Sequence, residues 1–404
     1  MNSRYPLIRL PVIALLGIVI VGCSANRSTV QDIEQNAQAD IVSSSQDNPR
    51  DGESVCKAIA RELSVGDRQA LNDRFDTRFV IARIESEIEI NIYTKKDLRS
   101  FAHGLNAIMP GMSVVGEEQL RWDMLHGSGD GEGYSCLVRT SLHEEGVSYV
   151  EFELRKVDGE LRVVDWYDLL RESRISDLSV IFLRDINDMA TAHLTAMPYQ
   201  RNRVQQEQRR FLEFLKATKS GDPKRVLAAY DGLPPRFKQK PLYMLIALNM
   251  ASMLDNGHYM RALRNLERRF GAENRYGMLL VDLYYEEKQY HKVDRVLRKF
   301  KQQVGEDPLL DLLLASLELE QGNMEAFYAY CLRIVDGNPN YLDTYWVLFD
   351  QFVADGKYPD AVLVLNVLKN MFEITLNKDV FVSEEKYRGF RKSAAFRAWR
   401  AGSS

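Results

Sequence analysis

The sequence predicts an α+β domain, helices on a four-stranded antiparallel sheet, followed by an all-α stack of repeated helix pairs. Three observations carry this. Apolar residues recur with a helical period before residue 110 and with a period of two around residues 119–170, the change that separates amphipathic helix from half-buried strand. Beyond residue 200, five short turn segments recur at intervals of 36, 31, 34 and 34 residues, each flanked by helical, apolar sequence. The charge balance also turns over, with 17 Lys/Arg against 27 Asp/Glu in residues 51–200 and 32 against 26 in residues 201–404. A net charge of −4 thus hides an acidic half and a basic half. Opposite charge suits docking of the halves on each other or of the basic half on an anionic surface; the alternative is two solvated surfaces of different composition. A chain of 404 residues exceeds what one core organises, so at least two folded domains are expected.

The N-terminus carries Arg4 and Arg9 and then "PVIALLGIVIVG", about a dozen apolar residues. That run is short of the ~20 residues of a membrane span and suits the core of a secretory signal. Ile20, Val21 and Gly22 precede Cys23. This stretch resembles the lipobox of bacterial lipoproteins. The resemblance implies a signal peptide over residues 1–22 and lipidation of Cys23. Ser24 after the cysteine implies anchorage on the periplasmic face of the outer membrane. Residues 23–53 are rich in Ser, Asn, Gln and Asp. They cannot bury enough apolar surface to offset their ordering entropy and are expected to form a disordered tether.

An α+β domain is expected over residues 54–195. Helical periodicity runs through "ESVCKAIARELSVGDRQALNDRF" and "KKDLRSFAHGLNAIM", the latter stopped by Pro110-Gly111. In "VSYVEFELRKV", Val150, Phe152 and Leu154 alternate with Glu151, Glu153 and Arg155. Asp158-Gly159 supplies a tight hairpin turn, and "ELRVVDWYDL" returns. "QLRWDML" and "YSCLVRTSL" read as two earlier strands joined by "GSGDGEG". The long hairpin with its aromatic exit resembles the NTF2-like, or cystatin-like, α+β cone domain. Some members of that fold use a cavity carboxylate as a general base. Asp165 and Asp168, flanking Trp166 and Tyr167, are the candidates for that role; the alternative is that Trp166 and Tyr167 pack the sheet end while the aspartates cap a helix start.

Four cysteines are too few for a disulfide scaffold. Cys56 and Cys136 could pair in an oxidising periplasm, and their positions in the sequence do not decide it. Cys331 lies in helical, apolar sequence and is expected in the core. No cofactor or metal site is indicated: "GSGDGEG" has neither phosphate-loop nor dinucleotide spacing, and the six histidines contain no i, i+4 pair. "GMSVVG" misses the nucleophile-elbow spacing by one residue.

Residues 200–376 hold "SGDPKRVLAAY", "NGHYMRALRNL", "EKQYHKVDRVL", "QGNMEAFYAYC" and "DGKYPDAVLVL", anchored on Pro223, Tyr259, Tyr290, Met324 and Tyr358. A period near 34 built from helix–turn–helix units resembles the tetratricopeptide repeat family, with about five units. Tyr345, Leu348, Phe352, Gly356 and Ala361 match its packing positions, while Phe327 and Lys288 depart from its small second-helix residue and its turn glycine. A capping helix is expected over residues 377–404. There Phe390, Phe396 and Trp399 would cover the last pair, leaving Lys386, Arg388, Arg391, Lys392 and Arg397 to water or to anionic lipid.

The resemblance implies that the first helices line a concave surface that binds a protein or peptide. Arg275, Asp282, Tyr285, Trp346 and Asp350 are the expected partner-binding residues. The function expected is a non-enzymatic, lipid-anchored periplasmic scaffold or adaptor, attached to the membrane through its lipid, with no nucleic-acid partner. The alternative is a small-molecule-binding or weakly enzymatic protein that uses the cone cavity. A pocket converging on Asp165 would favour the alternative; a plug of aromatic side chains would favour the scaffold.

Overall fold

The computed structural model describes residues 51–65, 73–89, 114–115, 118–119, 121–130, 132–142, 146–374 and 385–402. The expected signal peptide, Cys23, nearly all of the expected tether and the helix expected over "KKDLRSFAHGLNAIM" lie outside the described residues. Two compact units divide the chain, Met1–Glu287 and Lys288–Ser404. The change of charge near residue 200 falls inside the first.

In the first unit, α1 (Gly52–Ser64) buries Val55, Cys56, Ile59, Ala60 and Leu63, the stripe that its 3.6-residue period places on one face. Helix α2 (Thr77–Glu87) starts where the Asp76 carboxylate accepts the Arg78 N–H at 2.9 Å. A two-residue ladder joins β1 (Val114–Val115) and β2 (Glu118–Gln119). The main sheet follows: β3 (Arg121–Gly129), β4 (Gly133–Leu142), β5 (Gly146–Val157), β6 (Glu160–Asp168) and β7 (Ser173–Arg174). Its order is sequential and each neighbour is antiparallel. The four expected strands therefore form the meander, and the two-residue β7 extends it. Asp158 and Gly159 hold φ of +53° and +87°, the doubly left-handed turn whose twist matches a hairpin.

Register places Cys136, Phe152 and Trp166 in one row across β4, β5 and β6. All three are buried, as are Trp122, Val138, Val150, Leu154 and Val163. Cys56 and Cys136 are joined by a disulfide that fastens α1 to β4, with Cα atoms 6.4 Å apart. Helix α3 (Ile175–Thr195) follows the sheet. The apolar core that begins at Val55 continues through Phe182 and Leu183 of α3 to Phe211, Phe237, Tyr243 and Met250.

The later described elements are helices. In the first unit they are α4 (Arg201–Ser220), α5 (Pro223–Gly232), α6 (Pro235–Lys238), α7 (Pro241–Ser252), α8 (Asn256–Phe270) and α9 (Gly277–Glu286). The second unit holds α10 (Tyr290–Val304), α11 (Pro308–Glu320), α12 (Met324–Gly337), α13 (Leu342–Ala354), α14 (Tyr358–Met371), α15 (Arg388–Lys392) and α16 (Ala394–Gly402). The described chain is thus an α+β region followed by a helical run.

The turns share one backbone device. Gly221, Lys288, Gly322 and Gly356 each stand two residues before an anchor, and their φ values are +67°, +57°, +79° and +73°. Left-handed backbone ends one helix and redirects the chain into the next. Lys288 holds that conformation without glycine's freedom, at a cost of about 1–2 kcal/mol. Gly257, the corresponding residue before Tyr259, instead lies in the first turn of α8.

Helices before and after these turns differ in burial. In α7 every residue from Leu242 to Ala251 is buried, and in α9 every residue from Met278 to Tyr284. A helix apolar all round belongs inside. By contrast α8 buries Tyr259, Met260, Leu263, Leu266 and Phe270, and α10 buries Val293, Leu297, Phe300 and Val304, each a single stripe. In the second unit Phe327 and Cys331 are wholly buried in a cluster with Phe349, Ala361, Leu365, Phe390, Phe396 and Trp399. Burial pushes the Cys331 thiol up to about 12, which keeps it protonated and inert. The Trp399 Nε1–H donates to Asn366 at 3.1 Å, seating α16 on α14.

Candidate functional site

The carboxylates singled out in the sequence sit at the end of β6. Asp165 is 7 % exposed. Its side chain accepts the Trp166 N–H at 2.9 Å, the Ser176 hydroxyl at 2.5 Å and the Ser176 N–H at 3.3 Å. Ser176 is in the first turn of α3, so Asp165 caps that helix from the neighbouring strand. Burial raises its pKa, opposed by the Ser176 hydroxyl and the two N–H groups. Asp168 accepts the Arg171 N–H at 3.0 Å and pairs with the buried Arg171 guanidinium, closing the turn between β6 and β7. Trp166 is 4 % exposed and meets the Phe75 ring edge-on at 5.4 Å. Trp122 stacks on Phe152 at 6.4 Å in the same core. Among the described residues this face of the sheet is packed by Phe75, Trp122, Phe152 and Trp166 together with aliphatic side chains.

A groove of about 520 Å³ opens instead near the β3–β4 and β5 ends, lined by Ser128, Asp130, Ser135, Glu151, Arg155 and Arg174 among others. Nothing in the sequence pattern marked it. Glu153 sits between two guanidiniums, with Arg155 at 2.9 Å and Arg174 at 2.9 Å, and Ser135 donates to Glu151. Its charges are therefore largely answered within the groove. Two glycines of "GSGDGEG", Gly127 and Gly129, find their reason here. A Cβ on Gly127 would lie 2.5 Å from the Tyr134 ring, one on Gly129 2.7 Å and one on Gly52 2.2 Å. Tyr134 lies across β3 because those positions carry no side chain. No group of three or more His, Cys, Asp or Glu side chains among the described residues could hold a metal ion.

Of the expected partner-binding residues, Arg275, Asp282 and Tyr285 belong to the first unit and Trp346 and Asp350 to the second. Asp282 is 8 % exposed and accepts from the Tyr259 hydroxyl at 2.8 Å. Arg275 lies over the Tyr276 ring at 4.8 Å and 3.8 Å from Glu172, and Tyr285 is half-buried. In the second unit Trp346 is half-buried and edge-on to Phe349 at 6.1 Å. Asp350 accepts from the Tyr387 hydroxyl at 2.8 Å and from Lys386 at 3.0 Å, so it holds the C-terminal segment. Lys386 is accordingly drawn into an ion pair.

No family model, curated protein or solved structure matches this chain. Side chains presented to solvent must therefore speak for themselves. In the second unit Leu332 is 58 % exposed and Leu363 is 63 % exposed. Each lies on the helix after a left-handed turn, α12 and α14. The sequence hid them because a leucine in an apolar-rich helix reads as core.

Proposed function

We propose that the chain is a non-catalytic, lipid-anchored adaptor of the bacterial envelope, held through Cys23 on the periplasmic face of the outer membrane. In this reading residues 54–195 form an NTF2-like domain and the later helices form tetratricopeptide-like pairs that bind a protein or peptide partner. The observation that carries it is the state of Asp165. An enzyme of the cone-domain type needs a carboxylate facing a cavity, whereas this one accepts three hydrogen bonds as a helix cap beside a packed aromatic core.

The working surface is taken to be the exposed side of the second helices, where Leu332 and Leu363 stand in water. A partner would cover these exposed leucines, as an interface covers apolar surface. Two measurements test the two halves of the reading. Radiolabelled palmitate should enter the wild type and not Cys23→Ser; equal labelling would remove the anchor. Partner capture after cross-linking in cells should fail for Leu332→Asp with Leu363→Asp and survive in Asp165→Asn. The reverse pattern would favour a ligand-binding first domain.

A further inference from the structure

We infer that the corner between α3 and α4 is a membrane-contact surface that takes the anionic headgroups of phospholipid. The inference rests on the lipid-anchored reading and adds the part of the folded body that faces the bilayer. Met197 is 58 % exposed and Tyr199 is 82 % exposed, a large apolar and an aromatic side chain standing in water two residues apart. Arg201 opens α4 directly after them.

The next ten residues, "RNRVQQEQRR", bury no side chain; burial in α4 begins at Phe211. About 15 Å of helix at 1.5 Å per residue therefore shows its flank to solvent. Its charge runs against helix stability. The first turn has no acidic residue and no side-chain cap, and instead holds Arg201 and Arg203. A cation at the positive end of the helix dipole is unfavourable. Arg203 pairs with Glu207 and Arg209 with Glu213, both at 3.1 Å. Arg201 and Arg210 have no acidic partner among the described residues. The wider segment 201–270 holds 15 Lys/Arg against 6 Asp/Glu in a chain whose net charge is −4.

Tyrosine with neighbouring arginine is the composition of a membrane-interface anchor, aromatic ring at headgroup depth and guanidinium on phosphate. Reach is also sufficient. The 28 residues between Cys23 and α1 span at most about 95 Å, so a lipidated chain keeps its folded body near the surface. A weak basic face then acts at high effective concentration.

The test uses the full-length protein extracted from membranes and reconstituted into vesicles, either phosphatidylcholine alone or phosphatidylethanolamine with phosphatidylglycerol. Tyr199→Trp reports the corner, with the wild-type emission subtracted. In the anionic vesicles the emission should shift to the blue and be quenched by brominated acyl chains. Arg201→Glu with Arg210→Glu on that background should abolish the shift, each lost arginine weakening surface partitioning about fivefold. Identical emission in neutral and anionic vesicles overturns the inference, as does a shift that appears only when envelope proteins are added. If Cys23 takes no palmitate, the anchor reading fails separately, and flotation of the unlipidated chain with anionic vesicles still decides this one.

Discussion

Glu172 and Tyr276 lie 104 residues apart and are joined by one hydrogen bond, the Tyr276 backbone N–H donating to the Glu172 carboxylate at 2.8 Å. Both residues hold left-handed backbone, at φ of +47° and +60°, and Tyr276 is wholly buried. Such conformations cost about 1–3 kcal/mol each and persist only where the surroundings fix them. The bond ties the β6–β7 turn to the entry of α9. Glu172→Ala should lower stability by about 1–3 kcal/mol, because a buried N–H loses its acceptor. Glu172→Gln keeps a carbonyl there and should lose less. Urea unfolding of the two variants checks the order.

Asp165 gives a second prediction. Asp165→Ala leaves the Ser176 hydroxyl and two N–H groups unanswered, and should destabilise by about 1–3 kcal/mol. Asp165→Asn retains one acceptor and removes a buried charge. Since burial holds the native pKa above the ordinary value, the wild type should lose stability as pH rises from ~4 through the native pKa. The asparagine variant should lack that component. Thermal melts across pH 3–8 would show it; parallel profiles for both proteins would refute it.

Asp76 has the opposite sign. Hydrogen bonds from the Arg78 side chain and backbone hold its pKa below the ordinary carboxylate value. Its stabilisation is present above ~4 and is lost as pH falls through the lowered native pKa. Asp76→Asn should therefore narrow the difference in melting temperature between pH 5 and pH 2.5, and should also weaken the cap of α2.

The Cys56–Cys136 disulfide closes a loop across a sequence separation of 80 residues. Reduction, or Cys56→Ser with Cys136→Ser, should lower stability by about 2–5 kcal/mol. Cys331 is too buried to compensate. Unchanged melting in reductant would mean that the α1–β4 packing needs no cross-link.

Much of the sheet was legible in the sequence because its signals are local. The alternation at Val150, Phe152 and Leu154 and the turn at Asp158-Gly159 each state a conformation within a few residues. The turns at Gly221, Gly322 and Gly356 were legible for the same reason. What stayed hidden depends on tertiary neighbours. Asp165 reads as cap or as base until Ser176 is seen beside it. Asp282 reads as surface until Tyr259 meets it, and Asp350 until Tyr387 does. Helix α9 buries every residue from Met278 to Tyr284, so Asp282, expected on an open surface, is a packing residue. Leu332 and Leu363 failed in the other direction, since nothing in their period marks them as exposed.

The central claim is that the exposed side of the second helices, and not a cavity in the first domain, does the work. A photoreactive amino acid placed at Leu332, at Leu363 or at the buried Asp165 tests it most directly in living cells. The account predicts one discrete cross-linked adduct from both leucine positions, lost in each case when the other leucine is replaced by aspartate, and none from position 165. Adducts from position 165 with none from the leucines, in proteins that melt like the wild type, would contradict it.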